Sequence, residues 1–339
     1  MTTWWLLPMA FAASFVLTGM LRHYLSEWGI VDVPNSRSSH IRATPRGGGL
    51  AIVVVFLGFL SLLWAADALP STFFAAASGA SVLVALIGAI DDGHHVAAPW
   101  RLTVHSVAAG WALWWLGGMP HITIAGWDVG GLWFEVFGLV FIVWAINLYN
   151  FMDGINGLAS IEAITVCFGA ILLGLDSEPA TAISVVAALL LVCVLGFLCW
   201  NFPRARVFMG DAGSGFLGLI LAILAIQDGR VSSSHFFAWL ILLGVFVVDA
   251  TVTLIRRMAR RHKLHVAHRS HAYQHASRLV GNHAIVTSAV GLINLLWLCP
   301  IALLVGNDAI VGWQGVLLAY SPLLALSYWL GAGVEEAQA

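Results

Sequence analysis

Charged side chains are scarce in this sequence. Asp, Glu, Lys and Arg make up only 9% of its 339 residues, while 60% of the residues are hydrophobic. Ordinary soluble domains carry about 25% charged residues. The composition therefore argues against a soluble protein and indicates an integral membrane protein.

Cysteine is also rare, and its placement excludes several kinds of site. The four cysteines lie inside apolar runs and form no CxxC pair; they are Cys167, Cys193, Cys199 and Cys299. We interpret them as small core residues that say nothing about redox compartment. The sequence also lacks GxxxxGK, so a phosphate-binding P-loop is not supported.

Long apolar runs are abundant. A helix needs about 20 residues to cross the hydrocarbon core of a bilayer. We identify eleven runs of about this length: 4–21, 49–66, 72–90, 102–118, 132–148, 158–174, 180–200, 212–227, 235–254, 285–305 and 311–331. The first lacks a basic segment and a small-residue cleavage site, so it is expected to be retained. We predict an all-α membrane protein with about eleven transmembrane helices in one polytopic domain, residues 1–339.

The basic residues predict the orientation of these helices. With eleven spans, 14 of the 15 Lys and Arg residues fall on the same side of the membrane, and only Arg230 falls on the other. Because basic loops stay in the cytoplasm, the N-terminus is predicted outside and the C-terminus inside.

The polar motifs lie on that same side. They occupy five connections: VDVPNSRSSHIRATPRGGG (31–49), DDGHH (91–95), NLYNFMDGING (147–157), NFPRARVFMGDAGSG (201–215) and a basic, His-rich segment (256–283). Since loops that are distant in sequence can converge on one face, we predict one active site built from all five.

The acidic residues in these connections suggest a metal. Asp91 and Asp92 are adjacent carboxylates, which repel each other unless a cation, a proton or hydrogen-bond donors lie nearby. They are either part of a magnesium or general-base site or a solvated pair that ends a helix. Asp153 and Asp211 reach the same face and favour the site. With Asn150 they supply the oxygen ligands that Mg²⁺ prefers.

The His-rich segment has two interpretations. Its first arginines, between residues 256 and 261, are typical of an anchor for anionic lipid. The later HRSHAYQH (268–275) carries donors suited to a diphosphate or a sugar. A zinc site lacks a suitably spaced acidic or thiol partner. Asp249 lies inside an apolar run, where a carboxylate is costly, so a polar partner is expected.

Together these motifs resemble the polyprenyl-phosphate N-acetylhexosamine-1-phosphate transferases, glycosyltransferase family 4. The resemblance rests on the order and spacing of RSSH…TPRGGG, DD, NxxNFMDGING, FMGDAGSG and HRxH, and it covers essentially the whole chain. It implies transfer of an N-acetylated sugar-1-phosphate from a UDP-sugar to undecaprenyl phosphate, with release of UMP, at the cytoplasmic face of the bacterial inner membrane. It also implies Mg²⁺, with Mn²⁺ able to substitute, and a homodimer; no nucleic-acid partner is expected.

The resemblance also implies roles for individual residues. Asn150 and Asp211 match the magnesium ligands. The catalytic positions are Asp91, Asp92 and Asp153, with the aspartate pair acting as base or positioning the lipid phosphate. Substrate-binding positions are Arg46, Gly48, Arg101, Asn156, Phe208, Arg269, His271 and His275; among these, Asn156 and Phe208 match the uracil site, and Arg269 and His271 match the loop that reaches the diphosphate.

Two departures from the family pattern concern substrate contacts. The neighbourhood of Arg101 reads APWR, without the lysine that commonly precedes this arginine. Tyr273 and Gln274 stand where the family commonly has histidines, which implies a donor other than UDP-GlcNAc. The HRSHAYQ form resembles that of O-antigen enzymes that use UDP-FucNAc or related 6-deoxy sugars.

Two other classes of protein remain as alternatives. A secondary transporter would place polar groups near the midplane and often shows internal repeats, whereas here the acids cluster at one face and no repeat is visible. A magnesium-dependent intramembrane prenyltransferase would need a second acidic motif on a helix, which neither glycine-rich connection resembles.

Overall fold

The computed structural model describes most of the chain as helix. The described residues are 5–34, 43–175, 182–262 and 268–334. The RSSH motif at 37–40, Arg42, the DSEP sequence at 176–179 and Lys263 lie outside them.

The helices and strands follow one another in a simple order. The helices are α1 (Leu6–Glu27), α2 (Leu50–Ala65), α3 (Ser71–Gly93), α4 (Ala98–Leu116), α5 (Leu132–Met152), α6 (Leu158–Leu173), α7 (Ala182–Asn201), α8 (Gly210–Asp228), α9 (Ser233–Leu242), α10 (Gly244–Ala259), α11 (Ala272–Val280), α12 (His283–Ile293), α13 (Cys299–Gly306) and α14 (Gly312–Trp329), with a π-helical turn at Asn294–Leu298. Two short antiparallel pairs complete the fold: β1 (Val31–Asp32) with β2 (Thr44–Pro45), and β3 (Ile122–Ile124) with β4 (Trp127–Val129).

The protein is an all-α membrane protein, as predicted. Each of the eleven apolar runs overlaps at least one helix. Within the described residues, six helical stretches are long and apolar enough to cross a membrane: α1, α3, α5, α7, α8 and the continuous stretch His283–Gly306. The pair α9 and α10 would make a seventh. Helices α2 and α6 are apolar but have 16 residues each.

Three local features differ from the sequence prediction. The run at 235–254 is not one straight helix, because α9 and α10 meet at Leu243 with a bend of 71°. The His-rich connection contains α11, a helix of nine residues. The long connection at 117–131 forms the β3–β4 hairpin.

Helix α8 forms the centre of the bundle. It packs against α3 and α5, and 89% of its most apolar stretch is buried. Gly88 lets α3 approach closely, since a Cβ at this position would lie 2.5 Å from the backbone nitrogen of Ala212. Small residues at such crossings allow tight helix packing in membranes. The close contact brings the last turn of α3 against the first turn of α8.

Candidate active site

The predicted site residues meet where several helices end. Asp91 and Asp92 lie on the last turn of α3, Arg101 on the first turn of α4, and Asp211 on the first turn of α8. Arg46 precedes α2 and joins them. The structure therefore brings these five residues together as predicted, but most of them stand on helix termini and not in loops.

Asp211 is held between two arginines. Arg46 donates from Nη2 to Asp211 Oδ1 at 2.5 Å, and Arg101 donates from Nη1 to Asp211 Oδ2 at 2.9 Å. Arg46 Nε also donates to Asp92 Oδ1 at 2.9 Å, and Arg101 pairs with Asp91. The cluster sets three carboxylates against two guanidinium groups.

Arg46 keeps its charge in this setting. Burial lowers the pKa of its guanidinium, but the carboxylates of Asp211 and Asp92 outweigh burial and raise that pKa above its usual value. A permanently charged guanidinium suits a site that receives anions.

Asp92 anchors the N-terminus of α8. Its Oδ1 accepts the N–H of Asp211 at 2.8 Å and its Oδ2 accepts the N–H of Ala212 at 3.2 Å. A carboxylate is favourable there because the first amides of a helix lack partners within the helix. Gly210 is required at this junction: its φ is +76°, and a Cβ would lie 2.4 Å from Asp92 Oδ2. Both oxygens of Asp92 thus hold the site together.

Two further features surround the aspartate pair. Asp91 Oδ1 accepts the N–H of Val96 at 2.7 Å, which fixes the turn between α3 and α4. Asp92 borders an open pocket of about 420 Å³ whose other lining residues are Trp28, Gly29, Ile30, Val31, Gly93 and His94. The pocket gives the cluster an opening beside the end of α1.

Asn150 and Asp153 bring a second set of oxygen atoms. Asn150, on the last turn of α5, accepts a hydrogen bond at its Oδ1 from the Ser214 hydroxyl at 2.7 Å. Ser214 lies inside the MGDAGSG motif, yet sequence reasoning assigned it no role. Within the described residues, the Asp153 carboxylate makes no hydrogen bond or ion pair. Burial raises its pKa well above the usual range; Arg46 opposes that rise, and Asp211 and Asp92 add to it.

These oxygen donors fit a magnesium ion. Asn150 supplies an amide oxygen, and Asp153 and Asp211 supply carboxylates, all hard ligands of the kind that Mg²⁺ takes. In the part of the chain that the structure describes, no group of three or more His, Cys, Asp or Glu side chains encloses a metal position.

The two residues expected to bind uracil make contacts with different parts of the chain. Asn156 donates from Nδ2 to the Pro203 carbonyl at 3.2 Å. The backbone of Phe208 bonds to the Pro45 carbonyl and to the Gly48 N–H, at 2.7 and 2.9 Å. Gly48 is buried, and a Cβ there would lie 2.5 Å from a Val207 methyl group. Packing alone therefore explains this glycine without a ligand.

The His-rich segment forms another wall next to Asn150. The Tyr273 hydroxyl donates to the carbonyl of Phe151 at 2.9 Å, and the His271 ring lies 6.2 Å from the Phe151 ring. Gln274 Oε1 accepts the N–H of His271 at 3.2 Å. Tyr273 and Gln274, which replace the family's histidines, thus make contacts within the fold.

The two remaining residues of that segment differ in exposure. Arg269 is exposed, whereas His275 is buried on α11 with its Nδ1 3.1 Å from Nη2 of Arg278. Asp249 has the polar partners that its position inside an apolar run predicted: it accepts hydrogen bonds from the backbone of Ala272 and Tyr273.

Comparison with known proteins identifies the family of this chain. The model of glycosyl transferase family 4 matches residues 74–229, which contain Asp91, Asp92, Asn150 and Asp211. A decaprenyl-phosphate N-acetylglucosaminephosphotransferase of Mycobacterium tuberculosis is 30% identical over 79% of this chain and 75% of its own length. The chain belongs to glycosyl transferase family 4, the polyprenyl-phosphate N-acetylhexosamine-1-phosphate transferases.

Two other relatives carry similar names. A probable undecaprenyl-phosphate N-acetylglucosaminyl 1-phosphate transferase of Bacillus subtilis is 27% identical over 83% of this chain and 79% of its own. An undecaprenyl-phosphate alpha-N-acetylglucosaminyl 1-phosphate transferase of Thermotoga maritima is 28% identical over 79% of this chain and 80% of its own. This protein is therefore a sugar-phosphate transferase, and the transporter and prenyltransferase hypotheses are set aside.

Proposed function

We propose that this transferase moves an N-acetylated sugar-1-phosphate from a UDP-sugar to undecaprenyl phosphate. A phosphate oxygen of the lipid forms a bond to the phosphorus that carries the sugar. The bond from that phosphorus to the bridging oxygen breaks, and UMP leaves. The products are undecaprenyl-diphosphate-sugar and UMP.

One observation carries this proposal: charged side chains from three distant parts of the sequence converge at one end of the bundle. Arg46 and Arg101 share Asp211 between them, and Asp91 and Asp92 flank it. The reaction brings an anionic lipid phosphate up to an anionic diphosphate, so cationic groups must offset the repulsion. The two arginines can exchange a carboxylate partner for a substrate phosphate.

The residues divide the work between them. Asp92 holds α8 and Arg46 in place, and Asp91 holds Arg101. Asp153 presents a carboxylate that makes no bond to a described residue, and it is the side chain with the most freedom to accept a proton or approach the metal. Asn156 and Phe208 receive the uracil, and Arg269, His271 and His275 receive the sugar diphosphate.

Mg²⁺ is part of the proposal. Asn150 and Asp211 would hold it, with Asp153 beside it, and Mn²⁺ could take its place. When bound, the ion would neutralise charge on the diphosphate oxygens. The Ser214 hydroxyl orients the Asn150 oxygen for this task.

The same proposal covers topology and place in the cell. We propose eleven spans with the N-terminus outside, the C-terminus in the cytoplasm and the site at the cytoplasmic face of the bacterial inner membrane. The polarity of the bundle supports this orientation: Arg46 and Arg101 lie at one end of α8, and Arg230 follows the other end. By analogy with the family, two copies could form a homodimer.

The sugar and the pathway are the finest part of the proposal. The relatives named above act on N-acetylglucosamine, whereas the HRSHAYQ sequence resembles enzymes that act on 6-deoxy sugars. Tyr273 and Gln274 make hydrogen bonds within the fold. Their effect on the choice of sugar would therefore come from the shape that they give to the His-rich segment. We propose that the product starts O-antigen or a related cell-envelope polysaccharide.

A direct assay tests this function. Purified protein in detergent is given undecaprenyl phosphate, Mg²⁺ and, one at a time, UDP-GlcNAc, UDP-FucNAc, UDP-QuiNAc and related donors, and UMP is measured. We expect UMP with at least one donor, none after EDTA, and recovery on adding Mg²⁺. In the N150A variant, the Mg²⁺ concentration for half-maximal activity should rise about tenfold or more. No UMP from any donor would rule the function out.

A further inference from the structure

Asp249 is a buried carboxylate to which the catalytic proposal gives no task. It lies on α10 and is 5% exposed. Its Oδ1 accepts the N–H of Ala272 and its Oδ2 accepts the N–H of Tyr273, each at 2.9 Å. These are the first two amides of α11, which have no partners within that helix. The Thr253 hydroxyl, one turn along α10, donates to Oδ1 at 3.1 Å. Asp249 therefore fixes where α11 begins against α10.

The same carboxylate also holds the side chain that precedes α11. His271 Nδ1 lies 3.3 Å from Asp249 Oδ1. A carboxylate at this distance favours the ring form with its proton on Nδ1, which leaves Nε2 for a different partner. The rings of His268 and Tyr273 flank the His271 ring, with centroids 5.1 and 5.7 Å away. These contacts hold the position and the plane of the His271 ring.

This arrangement is joined directly to the candidate active site. Tyr273, whose amide Asp249 holds, donates its hydroxyl to the carbonyl of Phe151 at 2.9 Å. Phe151 follows Asn150 and lies two residues before Asp153. A shift in the start of α11 would therefore also move the end of α5, which carries the oxygen donors Asn150 and Asp153.

We propose that Asp249 is a positioning residue that acts through His271. It holds the imidazole and the start of α11 so that His271 meets the diphosphate of the UDP-sugar. The inference rests on the proposed function, because it assigns the diphosphate of the UDP-sugar to the His-rich segment. Asp249 itself touches no reacting group.

A double-mutant cycle tests the link between the two residues. Asp249→Asn keeps the size of the side chain but replaces one carboxylate oxygen with an NH₂ group, which cannot accept a hydrogen bond. The variant therefore loses either the hydrogen bond to the Tyr273 N–H or the contacts with the Ala272 N–H and His271 Nδ1. We expect D249N and H271A each to lower kcat/KM for the UDP-sugar at least tenfold per folded protein. The double variant should stay within about twofold of H271A, because residues that act as a unit are not additive. Losses that multiply, or a D249N enzyme within twofold of wild type, would overturn the proposal.

Controls separate positioning from a loss of stability. Asp228 is also a buried aspartate, but it lies at the end of α8 that is far from Asp211 and the candidate site. The D228N variant should have a lower melting temperature and a kcat/KM within twofold of wild type. Hydrogen exchange of residues 268–280 gives a readout that does not need activity. D249N should speed exchange at Ala272 and Tyr273, and D228N should not. Unchanged exchange in D249N overturns the proposal, whereas an inactive wild type with faster exchange in D249N would contradict the proposed function alone.

Discussion

The two ends of α8 each carry an aspartate in a different setting. Asp211 at the first turn lies between two arginines, with its side chain 17% exposed. The side chain of Asp228 at the last turn is 6% exposed, accepts the indole N–H of Trp239 at 2.8 Å and lies 3.1 Å from His235 Nδ1. The Asp211 carboxylate faces two charged guanidinium groups near the opening of the site, whereas the Asp228 carboxylate links α8 to α9.

Other polar groups repeat this difference. At the far end, Arg230 donates to the Gly118 carbonyl and Glu135 accepts the N–H of Met119, so their charges tie down a connection. At the site end, Arg46 and Arg101 pair with carboxylates that cluster together. Three carboxylates this close together oppose stability unless cations offset them, and at this end the guanidinium groups of Arg46 and Arg101 do so.

The largest effect should come from removing the carboxylate at the site end. Asp211→Asn takes away a proposed metal ligand and the group that both arginines share, so UMP release should fall by about 10² to 10³. The fold should persist, because the buried surface of α8 is unchanged. Turnover per folded protein and thermal unfolding in detergent measure the two quantities. Retention of more than a tenth of the activity would contradict the assignment.

A smaller effect is expected where the backbone admits only glycine. In Gly210→Ala a methyl group would meet Asp92 in a backbone conformation with positive φ, so the free energy of unfolding should fall by about 1 to 3 kcal/mol. Activity should fall as well, because Asp92 holds Arg46.

Gly126 is a matched control for that substitution. It has a φ of +86° with no atom near its Cβ position, so Gly126→Ala adds the backbone strain without the clash. Equal losses of stability in the two variants would show that contact with Asp92 is unimportant.

At the far end the expected change is in stability alone. Asp228→Asn weakens the link to His235 while keeping an acceptor for Trp239, so the protein should lose about 1 kcal/mol. kcat should stay within twofold of wild type, because Asp228 lies at the opposite end of the helix from Asp211. A large fall in kcat would mean that the two ends are coupled.

The smallest effect concerns Asp153 and pH. The raised pKa means that the folded carboxyl keeps its proton at pH values where the unfolded one has lost it, so without metal the folded state becomes less stable as pH rises through that window. The D153N variant lacks this titration and should gain stability over wild type from pH 5 to pH 8. Melting curves in EDTA measure the gain. A gain that is the same at both pH values would contradict the raised pKa.

The helices and the site were predictable to different degrees. The apolar runs predicted the positions of the helices, because hydrophobic patterning is local. They did not predict the bend at Leu243, since the sequence stays apolar through it. Helix α11 was missed because it is short and polar, and its start depends on Asp249, which is 23 residues from Ala272 in the sequence.

For the candidate site, the sequence suggested residues but not the contacts that they make. Asp91 and Asp92 look equivalent in the sequence, yet Asp92 anchors α8 while Asp91 holds the turn to α4. Gly48 matched a substrate position, but its contact with Val207 explains it by packing.

The sequence by itself determined the membrane class, the family and the chemical types gathered on one face, because composition and motif order are properties of the chain alone. Only the tertiary structure decided that Asp211 lies between Arg46 and Arg101, and that the carboxylates of Asp92 and Asp249 hold the starts of α8 and α11. Each such pairing depends on how helices that are distant in sequence pack together, and the spacing of residues along the chain does not reveal that packing.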